Sequence, residues 1–116
     1  MYSSTFIFAP GEYDAEFHAL DASIAEAARA IPGYLGEESW EDPARGRICN
    51  VYYWASMEAL QALMQHPAHL RAKQAQARWL KGYQVLVAQV LASYGDGGLP
   101  DHPLAGHTIR PKAVAA

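Results

Sequence analysis

The segment RICNVYYWAS, residues 47–56, constrains this chain more than any other. It is dense in β-branched and aromatic residues, and it lies between the turn DPARGR and a serine, the pattern of a strand. Ser56 is placed to cap a helix, with the acidic Glu58 in the first turn of SMEALQALMQ, so strand should pass directly into helix. On the other side, YLGEESWE reads as a strand that the proline- and glycine-bearing turn folds back as a hairpin.

The remaining segments fit around this unit. YSSTFIFA reads as a first strand, ended by Pro10-Gly11. Residues 12–30 are alanine-rich, and Phe17, Leu20, Ile24 and Ile31 recur at helical spacing. IPGY stops that helix. After His66-Pro67 a further helical run is predicted to about Lys81, closed by Gly82, and YQVLVAQVLASY reads as the last strand. The order β-α-β-β-α-β predicts an α+β, ferredoxin-like fold, an antiparallel four-stranded sheet with two helices on one face. Residues 1–94 form the expected domain. Residues 95–116, with three prolines, four glycines and no periodicity, are expected to be an extended tail, ordered only where it lies on its own domain or on a partner.

Composition narrows the function classes. Apolar residues make up 51% of the 116, enough for one core, and charged residues only 18%, below the average for soluble domains. The net charge of −3 argues against a nucleic-acid partner. Cys49 is the single cysteine, so no internal disulfide forms, which fits a reducing compartment. There is no apolar run near the ~20 residues that span a bilayer, and no basic, long-apolar leader pattern. A cytoplasmic location is expected. A sheet covered on one side leaves an apolar face bare, which predicts a homodimer with two sheets face to face.

On the third strand a period of two turns Asn50, Tyr52 and Trp54 to one face and Cys49, Val51 and Tyr53 to the other. An amide, a phenol and a broad indole suit a flat aromatic or phenolic ligand. The same residues can equally pack a core and satisfy a backbone group, and the pattern leaves both readings open. His66, before a proline, suits a helix start with Pro67 at the first position, and His69 follows one turn in. Two histidines at that spacing do not make a zinc site, which needs three or four ligands, so no metal is expected. As acid–base groups they are better placed, because a helix N-terminus favours the neutral, proton-accepting imidazole. His18 on the first helix is a further candidate base or a solvent-edge residue. Trp79 and Tyr83 flank the helix-to-strand junction and are expected to seal the core end or reach the ligand. Trp40 on the second strand is a wall or a dimer-face residue, and RAKQAQAR reads as a solvated basic helix face.

The segment NVYYWAS-MEALQALMQHPAHLRAK, within β-α-β-β-α-β, resembles the antibiotic biosynthesis monooxygenase family of dimeric α/β barrels, over about Tyr2 to Tyr94. The resemblance implies the fold and the dimer. In its quinone-forming branch, an asparagine and a tryptophan four apart on the third strand act on phenols with dioxygen and no cofactor, and Asn50 and Trp54 match that pair. The implied chemistry is deprotonation of a phenol, direct attack of the anion on dioxygen, and a hydrogen bond from Asn50 to the peroxy oxygen, with Trp54 positioning the ring. A basic residue from Arg71, Lys73 or Arg78 is implied beside them. In the haem-degrading branch the matching positions fall near Ser4, Leu63 and Lys73, all departures, with His69 as a substitute axial ligand. The expectations are therefore a cofactor-free oxygenase using Asn50, Trp54 and His69, with Tyr52, His66, His18, Tyr83 and Trp79 lining the substrate site. The alternatives are a haem-binding or other hydrophobic-ligand module and a purely structural dimer.

Overall fold

A computed structural model describes residues 1–110; residues 111–116 of the expected tail lie outside the described residues. Four strands and three helices follow one another as β1 (Tyr2–Pro10), α1 (Ala15–Ala30), β2 (Tyr34–Asp42), β3 (Arg47–Trp54), α2 (Met57–Met64), α3 (Pro67–Ala75) and β4 (Leu80–Gln89). The sheet is antiparallel in the order β2-β3-β1-β4. This is the ferredoxin-like arrangement, with the second helix broken in two at Gln65–His66.

The helix ends follow local chemistry. Asp14 caps α1 by accepting the Phe17 N–H at 2.9 Å, so the helix starts three residues later than Glu12. Ser56 accepts the Ala59 N–H at 3.1 Å and starts α2. His66 caps α3 through Nδ1, which accepts the Ala68 N–H at 3.1 Å, with Pro67 behind it.

Two boundaries differ from expectation. The last helix stops at Ala75, passes through a single 3₁₀ turn (Gln76–Arg78), and gives way to β4 at Leu80. Trp79 is buried there, and its carbonyl accepts the Gly11 N–H at 2.7 Å, which draws the chain onto β1. Gly82 thus pairs with Ala9 inside the strand and does not close a helix. At the other end β4 stops at Gln89, opposite Tyr2, because β1 offers no further partner; the last bond is Val90 N–H to the Met1 carbonyl, 2.9 Å.

Ala28, Trp54, Ala59, Leu60 and Leu63 form the core between helices and sheet, with Tyr34, Tyr52 and Ile24 packed against it. Strand alternation then assigns the faces. Tyr2, Ser4, Phe6 and Phe8 of β1 and Asn50, Tyr52 and Trp54 of β3 look toward the helices. Ile7, Cys49, Val51, Tyr53, Gly36, Glu38 and Trp40 look the other way.

That second face is not wholly bare. The chain after β4 returns across it, tied by Ser93 and Ile109 through reciprocal N–H···O bonds of 2.9 and 2.8 Å. His102 reaches Glu38 at 2.8 Å and stacks obliquely on Tyr53, and Leu104 is buried. Pro103 rests on Gly36, where a Cβ would stand 2.7 Å from the proline Cβ. Gly36 has φ of 143°, open to glycine and strained for other residues. The tail is thus a strap on its own sheet over the described part.

Candidate functional site

The polar groups on the helix-facing side of β3 are each held by a cross-strand neighbour. Asn50 pairs in register with Ser39 of β2, and the Ser39 hydroxyl donates to Asn50 Oδ1 at 2.7 Å. Trp54 is fully buried, and its indole N–H donates to Ser4 Oγ at 3.0 Å. Tyr52 lies between them on the strand, its ring stacked beside Trp54 with centroids 6.0 Å apart. Glu37, the register partner of Tyr52, accepts from Tyr34 Oη at 3.1 Å and from the Arg29 guanidinium at 2.9 Å. Burial, reinforced by the Glu37 carboxylate, pushes the Tyr52 phenol well above its ordinary range. Tyr52 is therefore a neutral hydroxyl at physiological pH.

Asn50 has Phe6 opposite it on β1, and Phe6 stacks on Phe8 and meets the edge of Tyr83. The face therefore offers an amide and a phenol on its β3 side and aromatic rings on its β1–β4 side. Tyr83 is half exposed on the outer strand, while Trp79 is buried against Phe17 and under Arg78.

The histidines divide. His66 spends Nδ1 on the α3 cap. His69 sits one turn in, half-buried, with Nδ1 shielded and no hydrogen-bond partner for it among the described residues. Burial pulls its pKa down, against the opposing pull of the Met64 carbonyl. The imidazole is therefore held neutral at physiological pH. His18 is exposed, edge-on to Tyr13 and Phe17. Of the basic residues, Arg71 and Arg78 are committed to Glu16 and Asp14, pinning α3 and the 3₁₀ turn after it to the start of α1. Among the described residues no three of His, Cys, Asp and Glu gather as a metal-holding group.

The structure thus sets Asn50, Tyr52 and Trp54 on one face, uses His66 as a cap, and leaves His18 outside. Sequence reading missed Ser39, Ser4, Glu37, Tyr34 and Arg29. Ser39 was within reach: counting back three residues from each end of the Asp42–Arg47 pair that closes the hairpin brings Ser39 opposite Asn50. The Ser4–Trp54 bond spans 50 residues and has no local signal.

Two surface grooves, of about 460 and 210 Å³, lie toward the hairpin end and share Ile7 and Arg47. The smaller runs along the helix-free face past Trp40 and Cys49, and the larger passes Gln84 and takes in Phe8 and Tyr83 at the end of the aromatic row. Asn50 and Trp54 line neither.

Comparison with known proteins gives a consistent picture. Residues 2–75 match the family described as antibiotic biosynthesis monooxygenase. YqjZ of Bacillus subtilis, an uncharacterized protein, is 33% identical over 90 residues, covering 77% of this chain and 78% of its own length. Among solved structures, Rv0793 from Mycobacterium tuberculosis superposes with a TM-score of 0.67 at 19% identity, covering 81% of this chain and 98% of its own. SnoaB from Streptomyces nogalater, described as a cofactor-independent oxygenase, gives 0.64 at 14% identity, covering 82% and 97%. At these identities the two structures share the fold with this chain.

Proposed function

Because this chain belongs to the antibiotic biosynthesis monooxygenase family, we propose that it is a cofactor-independent oxygenase for a flat phenolic molecule, working as a homodimer. The observation that carries the reading is the Asn50 amide: its oxygen is engaged by Ser39, and its NH₂ group, unpartnered among the described residues, lies on the face that bears Tyr52. The description of SnoaB as a cofactor-independent oxygenase supports the same class.

The substrate is a phenol whose keto tautomer carries a CH₂ at the reacting carbon. A base removes one proton from it, and His69, held neutral by burial, is the candidate. The resulting anion forms a C–O bond to dioxygen, and the peroxide anion takes a proton to become a hydroperoxide. Loss of water, with cleavage of the O–O bond and the second C–H bond, leaves a carbonyl. The sum is substrate plus O₂ to quinone plus H₂O. Negative charge develops on the peroxide oxygen, and a fixed N–H donor there stabilises it more than the ground state. Tyr52, its hydroxyl engaged by Glu37, forms the wall beside the amide, and Trp54, with no exposed surface, backs the Tyr52 ring.

The test is oxygen uptake by the purified protein with an anthrone-type phenol, with chelator present and no flavin added. Asn50→Ala should lower kcat by about 10²–10³, the usual cost of losing such a donor. Absence of uptake across a panel of hydroxylated polycyclic phenols would sink the reading. The alternative of a haem-binding module rests on the shielded His69 nitrogen. It would instead give a Soret band on haem titration that His69→Ala abolishes.

A further inference from the structure

We infer that Ser39 is a positioning residue for the proposed oxygenation: its hydroxyl, bonded to Asn50 Oδ1, fixes the amide so that its NH₂ edge and not its carbonyl meets the developing peroxide. The inference rests on the oxygenase reading and names a residue of the same site.

A primary amide has one accepting and one donating end of nearly equal size, and rotation by half a turn exchanges them. Presented carbonyl first, Asn50 would repel a peroxide anion; presented NH₂ first, it donates. The residue therefore needs something that tells its two ends apart. Ser39 supplies it at 2.7 Å, through the register that sets it directly across the hairpin from Asn50. A hydroxyl that donates to Oδ1 leaves Nδ2 with both hydrogens, and no hydrogen bond from Nδ2 is made among the described residues. On the other side of Asn50 lies Phe6, which offers only a ring.

Nothing in the fold needs this bond. Ser39 is exposed, near the hairpin end of β2, well removed from the buried cluster around Trp54 and Leu60. A surface serine in a strand is replaceable at little cost to stability. Trp54 on the same face is fixed in the same manner, by Ser4 from the adjacent strand β1.

The experiment pairs kinetics with NMR on the full chain. Ser39→Ala should lower kcat about three- to tenfold with KM within twofold, in line with the net worth of one hydrogen bond. Ser39→Thr, which keeps the hydroxyl, should retain most of the activity, and both variants should unfold near the parent temperature. In ¹⁵N-labelled protein the Asn50 side-chain NH₂ pair should shift and broaden in Ser39→Ala and stay in place in Ser39→Thr. An unchanged Asn50 NH₂ pair in Ser39→Ala overturns the inference with no appeal to activity. So does an unchanged kcat in Ser39→Ala while Asn50→Ala is inactive, and there the oxygenase reading survives. An Asn50→Ala enzyme as active as the parent removes the donor role of Asn50 and this role of Ser39 with it, whereas absence of oxygen uptake by the parent removes the oxygenase reading itself.

Discussion

Trp54 is the residue at which packing and chemistry meet. It has no exposed surface, packs with Ala28, Leu60 and Leu63, and satisfies its single donor on Ser4. Trp54→Ala should destabilise the chain by about 3–5 kcal/mol, through lost burial and the cavity left behind. Ser4→Ala should cost about 1–3 kcal/mol, because the indole N–H is then buried without an acceptor. Urea unfolding of both variants checks the order; equal stability of Ser4→Ala and parent would remove the claim that this bond matters. His69 makes a different prediction. Its folded pKa is lowered, so as pH falls the unfolded chain takes up the proton first. The contribution of His69 is complete above the unfolded value of about 6.5 and is lost as pH drops through and below it. Asp14 and Glu16 are also held below the usual carboxylate range, by the Phe17 N–H and by Arg71 respectively, but their contributions disappear only in the carboxylate range near pH 4 and below. Urea midpoints at pH 7.5 and 5.5 (about one unit either side of the imidazole value) should therefore differ less in His69→Gln than in the parent. An identical acid loss in both would assign it to another group.

At the scale of elements, two helix starts and one helix stop were legible and the strand ends were not. Ser56, Pro67 and the IPGY stop act within a turn of where they stand, so the sequence displays them. Ser56→Ala should cost about 1 kcal/mol by removing the α2 cap. The end of β4 depends on where β1 begins, and the end of the last helix depends on the Trp79 carbonyl meeting Gly11. Those partners lie roughly ninety and seventy residues away in sequence, respectively. The strap is a similar case: the glycine that admits Pro103 sits in β2 and looks like an ordinary strand irregularity until the tail is placed on it. Gly36→Ala, strained at its φ and in collision with Pro103, should release the strap. Faster hydrogen exchange at the Leu104 amide, and faster proteolytic cleavage near Gly97-Gly98, would report it. Unchanged exchange at Leu104 would mean that the strap does not depend on this contact.

At the scale of the molecule, the distribution of exposed apolar surface is uneven. β4 is exposed along both faces, with Tyr83, Val85, Leu86 and Val87 each close to half open, and Trp40 stands out on the opposite edge strand. The strap covers the end of the helix-free face near Gly36 and Tyr53, leaving the Ile7, Cys49 and Trp40 end open. Proposed dimer contact is therefore confined to that open end and to β4, a smaller area than two bare sheets meeting in full. Size-exclusion chromatography with light scattering should give a dimer at micromolar concentration and a monomer for Leu86→Lys. A monomeric parent protein would remove the dimer from the proposal. No helix among the described residues is long and apolar enough to cross a membrane.

By itself the sequence determined the order of elements, the helix starts at Ser56 and His66-Pro67, and the single face shared by Asn50, Tyr52 and Trp54. All of these follow from short-range periodicity and local hydrogen bonding. The tertiary structure decided that Ser39 and Ser4 hold Asn50 and Trp54, that Glu37 gathers Tyr34 and Arg29, and that the tail closes over part of the sheet. It also left His69 half-buried, its Nδ1 shielded and unpartnered among the described residues. A residue's own dihedral preferences are written next to it in the chain. Its hydrogen-bond partners and its burial are set by segments that meet only once the sheet has formed.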